Sequence, residues 1–400
     1  MRKMPNQKIK YIDNDINKGI IIDWKHIFKL YKKLNCPKDV YNPCTLPIGK
    51  AKYSVLLSER KTGKTTNLLL LGMLLYLEYG IVTQYIRATE NMIQRRNTAE
   101  LFTTIIKFGY IEKMTNGQYN NVYYYARKWH FCKTDESGEV LEQDTNHFMF
   151  CLAVELNETY KSSYNCPTGD FILYDEFIRK TYRMNEFVDF IDLLSTIIRD
   201  RLTANIVLIA NTIDRHSEYF NELEIYDDIQ LIEVGQREII ETELGTKIYV
   251  ELIADLHDKK EKSIYNTLYF GFKNPKINAV RGGEWAVNNY PHIQKGFETL
   301  QRGIYIEYHG RLLALDIVKY EDVGVYINVH SAYRTYDDSI IYTLQEPKDK
   351  RYRYYMGTGT KLDRFLVKMV KAHKIRFQNN ACGTMFFNHF NQKDAKRGGY

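Results

Sequence analysis

Three short stretches of the chain are apolar without interruption: Val55-Leu56-Leu57, Phe171-Ile172-Leu173-Tyr174 and Ile206-Val207-Leu208-Ile209-Ala210. Strands buried on both faces of a parallel sheet carry such runs, whereas half-buried strands alternate. Ile81–Arg87 and His147–Glu155 add two more strands by their β-branched and aromatic content. Between them fall segments of helical period. Leu68–Leu77 is broken only by Gly72, and Glu186–Arg201 places Phe187, Phe190, Ile191, Leu194, Ile197 and Ile198 on one face. Strand–helix alternation of this kind predicts an α/β domain with a mainly parallel sheet over residues 1–215.

The pattern then changes. Residues 216–300 are the least legible: Leu231–Glu233 and Lys247–Ala254 read as short strands around a charged connector from Arg237 to Thr246, with Trp285 in a Gly-rich turn. A linker or lid is expected there. From 301 to 400 a smaller β-rich domain is expected. Gly303–Tyr308 alternates, turns at His309-Gly310 and returns through Leu312–Val318, and Val323–Val329 supplies a third run. Leu362–Ala372 reads as an amphipathic helix with Leu362, Phe365, Leu366 and Met369 inward. The first forty residues are basic and helix-prone from Trp24 to Leu34.

Chemistry enters where the first apolar run ends. Ser58-Glu59-Arg60-Lys61-Thr62-Gly63-Lys64-Thr65-Thr66 leads from that strand into the Leu-rich helix. This is the layout of a loop whose backbone N–H groups wrap phosphates at a helix N-terminus. Lys64 would reach the β/γ oxygens and the Thr65 hydroxyl would hold Mg²⁺. Ser58 stands where the pattern G-x-x-x-x-G-K-[ST] has its first glycine, a position with less freedom at positive φ for serine. The second apolar run ends in Asp175-Glu176. Acids at the carboxyl end of a buried parallel strand project into the ligand crevice. Asp175 would support Mg²⁺ and Glu176 would orient and deprotonate the attacking water. The third run ends in Asn211-Thr212, either of which could sense the γ-phosphate. About 110 residues separate Thr65 from Asp175, room for further strand–helix units. A glutamate directly after the Walker B aspartate, with an added strand between the motifs, marks the additional-strand catalytic-glutamate division of P-loop ATPases. That favours a motor or helicase over a metabolite kinase.

Arg199 and Arg201, with Arg183 behind them, are the candidates for an arginine acting on a neighbouring subunit's nucleotide. Basic residues also suit a last helical turn without any such role.

Charge is uneven. Residues 351–400 hold eleven Lys/Arg against two acids, a net +9, while the whole chain is +7, so residues 1–350 carry −2. Aromatic residues interleave with these cations, as suits a phosphate backbone bound without sequence preference. Lys361, Arg364, Lys368, Lys371, Lys374 and Arg376 are the candidate contacts; the alternative is a solvated basic helix followed by a disordered end. The carboxylates Glu307, Asp316, Asp337 and Asp338 are scattered, and a two-metal nuclease needs several converging on one point. Nuclease activity is therefore not expected.

The P-loop with Arg60 and Lys61 inside it, the segment Glu-Leu-Asn-Glu-Thr-Tyr-Lys-Ser-Ser, Phe-Ile-Leu-Tyr-Asp-Glu-Phe, Ile-Ile-Arg-Asp-Arg and Leu-Ile-Ala-Asn-Thr follow one another in this order. Together they resemble the DNA-packaging ATPases of small tailed phages, the phi29-like encapsidation proteins related to terminase large subunits. The resemblance is close over residues 50–220 and looser over 300–345. It implies a homomeric ring, expected to be a pentamer, docked on the portal of a procapsid in the host cytoplasm and pumping double-stranded DNA with ATP and Mg²⁺. It also implies a small linker, a C-terminal RNase H-like domain without nuclease activity, and a structural RNA as a possible partner. A cellular translocase of the HerA/FtsK type has the same chemistry. A nucleotide-gated nucleic-acid binder without turnover is the non-enzymatic alternative. Tyr41 or Pro43 could border the adenine.

No apolar run approaches the ~20 residues of a membrane span, and the charged first residues lack the apolar stretch of a secretory signal. The six cysteines show no zinc spacing and read as free thiols of a reducing compartment.

Overall fold

The structure, a computed structural model, describes residues 9–58, 61–161, 163–179, 182–183, 185–211, 215–254, 290–321, 323–354 and 359–395, the last five as backbone. The chain forms two compact units. The first takes residues 1–179, 185–215 and 222–285; the second takes 286–400 with two short excursions, 180–184 and 216–221.

The first unit is built on a ten-stranded sheet. Its strands are β1 (Tyr53–Ser58), β2 (Thr83–Arg87), β3 (Asn121–Tyr125), β4 (Lys128–Thr134), β5 (Val140–Gln143), β6 (Met149–Ala153), β7 (Phe171–Asp175), β8 (Asn205–Asn211), β9 (Arg237–Glu241) and β10 (Lys247–Leu252). Their order is β3-β4-β6-β2-β7-β8-β1-β10-β9, with β5 on β4. The run from β6 to β10 is parallel throughout. β9 and the β3–β4–β5 group flank it antiparallel. The expected mainly parallel sheet is therefore present, and its central strands are the uninterrupted apolar runs. Val55, Leu56, Leu57, Ile172, Leu173 and Tyr174 are all fully buried, as two covered faces require.

Helix Lys64–Tyr79 follows β1 and buries residues on every side, Leu68, Leu69, Leu70 and Leu71 in succession. A helix apolar all round belongs inside a domain. Gly72, the break in its leucine run, is where it meets β2: a Cβ there would collide with Thr83 Oγ1. Helix Glu186–Ile198 buries Phe190, Leu193, Leu194 and Ile197 against the sheet layer.

The expected linker needs correction. Lys247–Leu252 is β10, a member of the central sheet beside β1, with Val55 opposite Val250. Half of the charged connector is β9, hairpinned onto β10. Leu231 ends a helix, Tyr226–Leu231, rather than starting a strand. The first unit thus runs well past residue 215. Trp285 lies outside the described residues.

The second unit carries a seven-stranded sheet: β11 (Phe297–Gln301), β12 (Ile304–Tyr308), β13 (Arg311–Tyr320), β14 (Gly324–Ala332), β15 (Ile340–Tyr342), β16 (Tyr352–Arg353) and β17 (Ile375–Phe377). The order is β16-β15-β12-β13-β14-β17, with β11 on β13. β12, β13 and β14 form the expected antiparallel meander. The turn at His309-Gly310 has φ of 47° and 72°, the positive pair that matches the twist of a two-residue hairpin. β15 and β16 add in parallel beside β12, and β17 adds in parallel beside β14. Helix Lys361–Lys371 is capped by a reciprocal Thr360–Asp363 box. It buries Leu366 and Met369, with Leu362 and Phe365 partly covered, against this sheet. A second helix, Asn380–Ala395, follows where a disordered end was the alternative, and its Phe386 is fully buried. Among the described residues no helix is long and apolar enough to cross a membrane.

Candidate active site

The ends of β1, β7 and β8 lie side by side, with Ser58 opposite Asn211 and Asp175 opposite Ile209. β8 therefore separates the strand that feeds the glycine loop from the strand that ends in the acids. Lys61, Thr62, Gly63, Lys64, Thr65, Thr66, Asp175, Glu176 and Asn211 all line one cavity of about 500 Å³. Glu59, Arg60 and Thr212 lie outside the described residues.

Gly63 caps helix Lys64–Tyr79 at φ 75°, ψ 10°. A side chain there would be strained, and its Cβ would stand 2.9 Å from Val40 Cβ. Ser58, by contrast, is the last residue of β1 in extended backbone, so the positive φ feared for serine is not required. Its buried hydroxyl lies 2.7 Å from Thr62 Oγ1 and accepts from the Lys64 ammonium, which also reaches Thr62 Oγ1 at 3.4 Å. Serine thus supplies a polar seat that glycine would lack. Burial lowers the Lys64 ammonium to about 8, against the opposing pull of Asp175. A phosphate in the cavity would favour the charged form and raise it again.

Thr65 Oγ1 stands 3.4 Å and 3.5 Å from the two oxygens of Asp175. A hydroxyl and a carboxylate at this separation form a hard oxygen pair suited to Mg²⁺, which takes few protein ligands and keeps its waters. Tyr85 donates to Asp175 Oδ2 at 2.8 Å, and Arg87 Nη1 lies 3.4 Å from the same oxygen. Burial raises the Asp175 carboxyl, while Arg87 and Tyr85 counter that rise. Glu176 turns out of the strand at φ 53°. Its side chain is 48% exposed against 9% for Asp175, and its Oε2 is 2.6 Å from Arg87 Nη2. One acid is fixed in the floor and the other stands in the opening.

Tyr85 and Arg87 were missed from sequence, although the strand that carries them was expected. The available signal was a basic residue ending a strand that neighbours the acidic one. Tyr41 and Pro43 are buried and do not line the cavity; Pro37, Val40, Phe108 and Tyr110 form its apolar wall.

Arg201 requires correction. It is 5% exposed and ion-paired with the fully buried Asp170, and it donates to Ile197 O at 2.7 Å and Gly169 O at 3.3 Å. A guanidinium so enclosed braces its own fold and is not presented at the surface. Arg199 is exposed, with Nη2 donating to Tyr164 O at 3.2 Å. Arg183 is exposed as well.

In the second unit Lys361, Arg364, Lys368 and Lys371 are all exposed. Their spacing puts them on one face of their helix. Lys374 and Arg376 differ: Arg376 stacks on Tyr320 at 4.1 Å and Tyr326 at 4.6 Å and donates to Gln294 at 2.6 Å. Lys374 sits 5.8 Å above the Tyr326 ring. The carboxylates do not converge: Glu307 pairs across β13 with Leu312, four residues from Asp316, roughly 13 Å at the rise of a strand. Asp316 faces His330 at 3.3 Å, and Glu307 holds Lys348 at 2.5 Å.

No family model and no curated protein sequence matches this chain. Solved structures do. The bacteriophage Phi-29 viral genome packaging motor assembly matches with a TM-score of 0.55 at 14% identity, over 89% of this chain and 99% of that one. The Phi-28 gp11 DNA packaging motor matches with a TM-score of 0.52 at 15% identity, over 86% of this chain and 94% of that one. At such identities the likeness is one of fold, and it extends over both units. The resemblance carried by the glycine loop and the acidic strand end is borne out at that level: the chain has the fold of the phage DNA-packaging motor proteins.

Proposed function

We propose that this protein is a P-loop ATPase of the additional-strand catalytic-glutamate division that drives double-stranded DNA into a phage procapsid. The observation that carries the reading is the convergence of Lys64, Thr65, Asp175 and Glu176 on one cavity at the ends of β1 and β7. In this reading the amides after Gly63 and the Lys64 ammonium hold the β- and γ-phosphates. Thr65 and Asp175 would hold Mg²⁺, whose charge would offset that of the phosphates. Glu176 accepts a proton from the attacking water and aligns it with the γ-phosphorus. For that it must leave Arg87. Asn211, at the tip of the strand between the two motifs, is the γ-phosphate sensor, and Thr212 is its alternative.

A homomeric ring, proposed as a pentamer, would supply an arginine to each neighbour's site. Arg199 and Arg183 are the candidates once Arg201 is set aside. The cationic face of helix Lys361–Lys371 would follow a phosphate backbone, of DNA or of a structural RNA at the portal. An RNase H-like identity for the second unit is supported by its strand order, in which a three-stranded meander is extended in parallel from its first strand. The dispersed carboxylates support the absence of nuclease activity.

Steady-state ATP hydrolysis by wild type and Glu176→Gln, with and without double-stranded DNA over a salt series, tests the reading. DNA-stimulated turnover that is lost in the variant and fades as salt rises is expected. ATP binding without turnover in concentrated wild type would replace the motor with a nucleotide-gated binder.

A further inference from the structure

The loop before helix Lys64–Tyr79 is held from outside by residues that no motif includes. Asn67, 3% exposed, sits one turn into the helix. Its backbone N–H donates to Gly63 O at 3.0 Å, and its side-chain Nδ2 donates to the same oxygen at 2.9 Å. Both lone pairs of that carbonyl are then taken. Asn67 Oδ1 in turn accepts from Tyr31 Oη at 2.6 Å. Tyr31 lies on helix Trp24–Lys33, is 5% exposed, and is kept protonated by burial. The Gly63 carbonyl can only accept, so the Asn67 NH₂ faces it and Oδ1 is left toward Tyr31, whose protonated phenol donates to it.

The geometry points to Tyr31 and Asn67 as positioning residues for phosphate binding, acting through the Gly63 carbonyl. This rests on the reading of the cavity as a nucleotide site. The peptide between Gly63 and Lys64 is planar and trans, so the C=O and N–H at its two ends point in opposite directions. Clamping the carbonyl toward Asn67 aims the Lys64 N–H out of the helix end, into the cavity. Gly63 has no Cβ and would otherwise rotate with little resistance at φ 75°. Two further contacts from the same segment close the arrangement: Tyr41 N donates to Thr62 O at 2.7 Å, and Val40 packs on Gly63. The segment from Trp24 to Tyr41 thus sets the conformation of the loop without contributing a motif residue to it.

The test is equilibrium binding of Mg-ATP and Mg-ADP, with turnover at saturation, for wild type, Tyr31→Phe, Asn67→Leu, the double variant and Lys64→Ala. Loss of one neutral hydrogen bond predicts a rise in Kd of about three- to tenfold for Tyr31→Phe. Asn67→Leu is expected to be weaker still, and the double variant no worse than Asn67→Leu alone, because the tyrosine acts only through the amide. Turnover at saturation stays within about twofold of wild type, as for lost uniform binding. A purely structural role would instead lower the melting temperature of the nucleotide-free variants and leave Kd at 20 °C unchanged. That result, or additive effects in the double variant, overturns the proposal. If wild type itself fails to bind Mg-ATP, the nucleotide reading falls and takes this inference with it. Binding lost in Lys64→Ala but unaltered in Tyr31→Phe and Asn67→Leu overturns the inference alone.

Discussion

Arg87 spans both acids of the candidate site, with Nη2 2.6 Å from Glu176 Oε2 and Nη1 3.4 Å from Asp175 Oδ2. The second contact has a consequence for pH. Burial raises the Asp175 carboxyl, and Arg87 is the largest influence holding it down. Removing the guanidinium lets the carboxyl rise further, so protonation would compete with the proposed Mg²⁺ at a higher pH. Arg87→Ala should move the acid limb of the kcat/KM profile to higher pH. Arg87→Lys, which keeps the charge, should move it less. An unmoved acid limb in Arg87→Ala would separate Asp175 from the rate.

Glu176→Gln keeps the size of the side chain and removes the proposed base. Turnover should fall about 10²- to 10⁴-fold, with ATP binding retained, because the glutamate stands in the opening rather than under the phosphates. Rapid-quench single turnover with radiolabelled ATP, beside equilibrium binding, distinguishes lost chemistry from lost affinity.

Lys64 ties stability to pH in the nucleotide-free protein. Its folded value is lowered to about 8, whereas an unfolded lysine titrates near 10.4. Between these values the unfolded chain holds more protons, so this residue makes stability rise with pH across that window. Lys64→Met should be more stable than wild type at pH 7, with the gap closing as pH approaches 10. Urea melts at four pH values measure the difference directly. A gap that widens with pH would contradict the burial of a charged lysine.

Two arginines two residues apart should behave differently. Arg201→Ala leaves the fully buried Asp170 without its ion pair and should cost about 3–5 kcal/mol of stability. Among the described residues the Asp170 carboxylate would keep Thr203 Oγ1 at 2.6 Å and Ile20 N at 3.2 Å. Arg199→Ala should leave the melting temperature close to wild type. If Arg199 serves a neighbouring site, mixtures of Arg199→Ala with Glu176→Gln should recover turnover that neither variant shows alone.

The four exposed cations of helix Lys361–Lys371 should set the salt dependence of double-stranded DNA binding. Each phosphate contact contributes about 0.9 to the slope of log K against log salt. Replacing Lys361, Arg364, Lys368 and Lys371 by glutamine should flatten the slope stepwise, uniformly across DNA sequences. Replacing Arg376 should do less to the slope and more to folding, since that guanidinium is engaged with Tyr320 and Tyr326.

Legibility followed burial. β1, β7 and β8 were visible because two covered faces demand uninterrupted apolar residues, and their polar ends marked the site. β9 was taken for a connector because it lies at an edge: Arg237, Glu238, Ile239 and Glu241 are exposed, and an exposed edge keeps no hydrophobic alternation. β3 and β5 escaped for the same reason, with no buried position in either. Arg87, Tyr31 and Asn67 escaped for another. Their roles come from pairings across the fold, 89 residues from Arg87 to Glu176 and 36 from Tyr31 to Asn67, and no local period records such a pairing. Arg201 was misjudged because a basic residue after a helix looks the same in sequence whether it faces solvent or Asp170.

The charged rim at β9 carries one last consequence. An unpaired strand at the margin of a sheet is a template on which another molecule can add a strand, the first step of aggregation. Here the parallel run stops at β10, and its margin is a hairpin strand bearing Arg237, Glu238 and Glu241. Charges spaced along an exposed margin oppose self-templating. A protein proposed to gather in several copies around one portal would otherwise meet its own margins at high local concentration. The segment mistaken for a connector would thus let copies in the proposed ring crowd together without zipping into a continuous sheet.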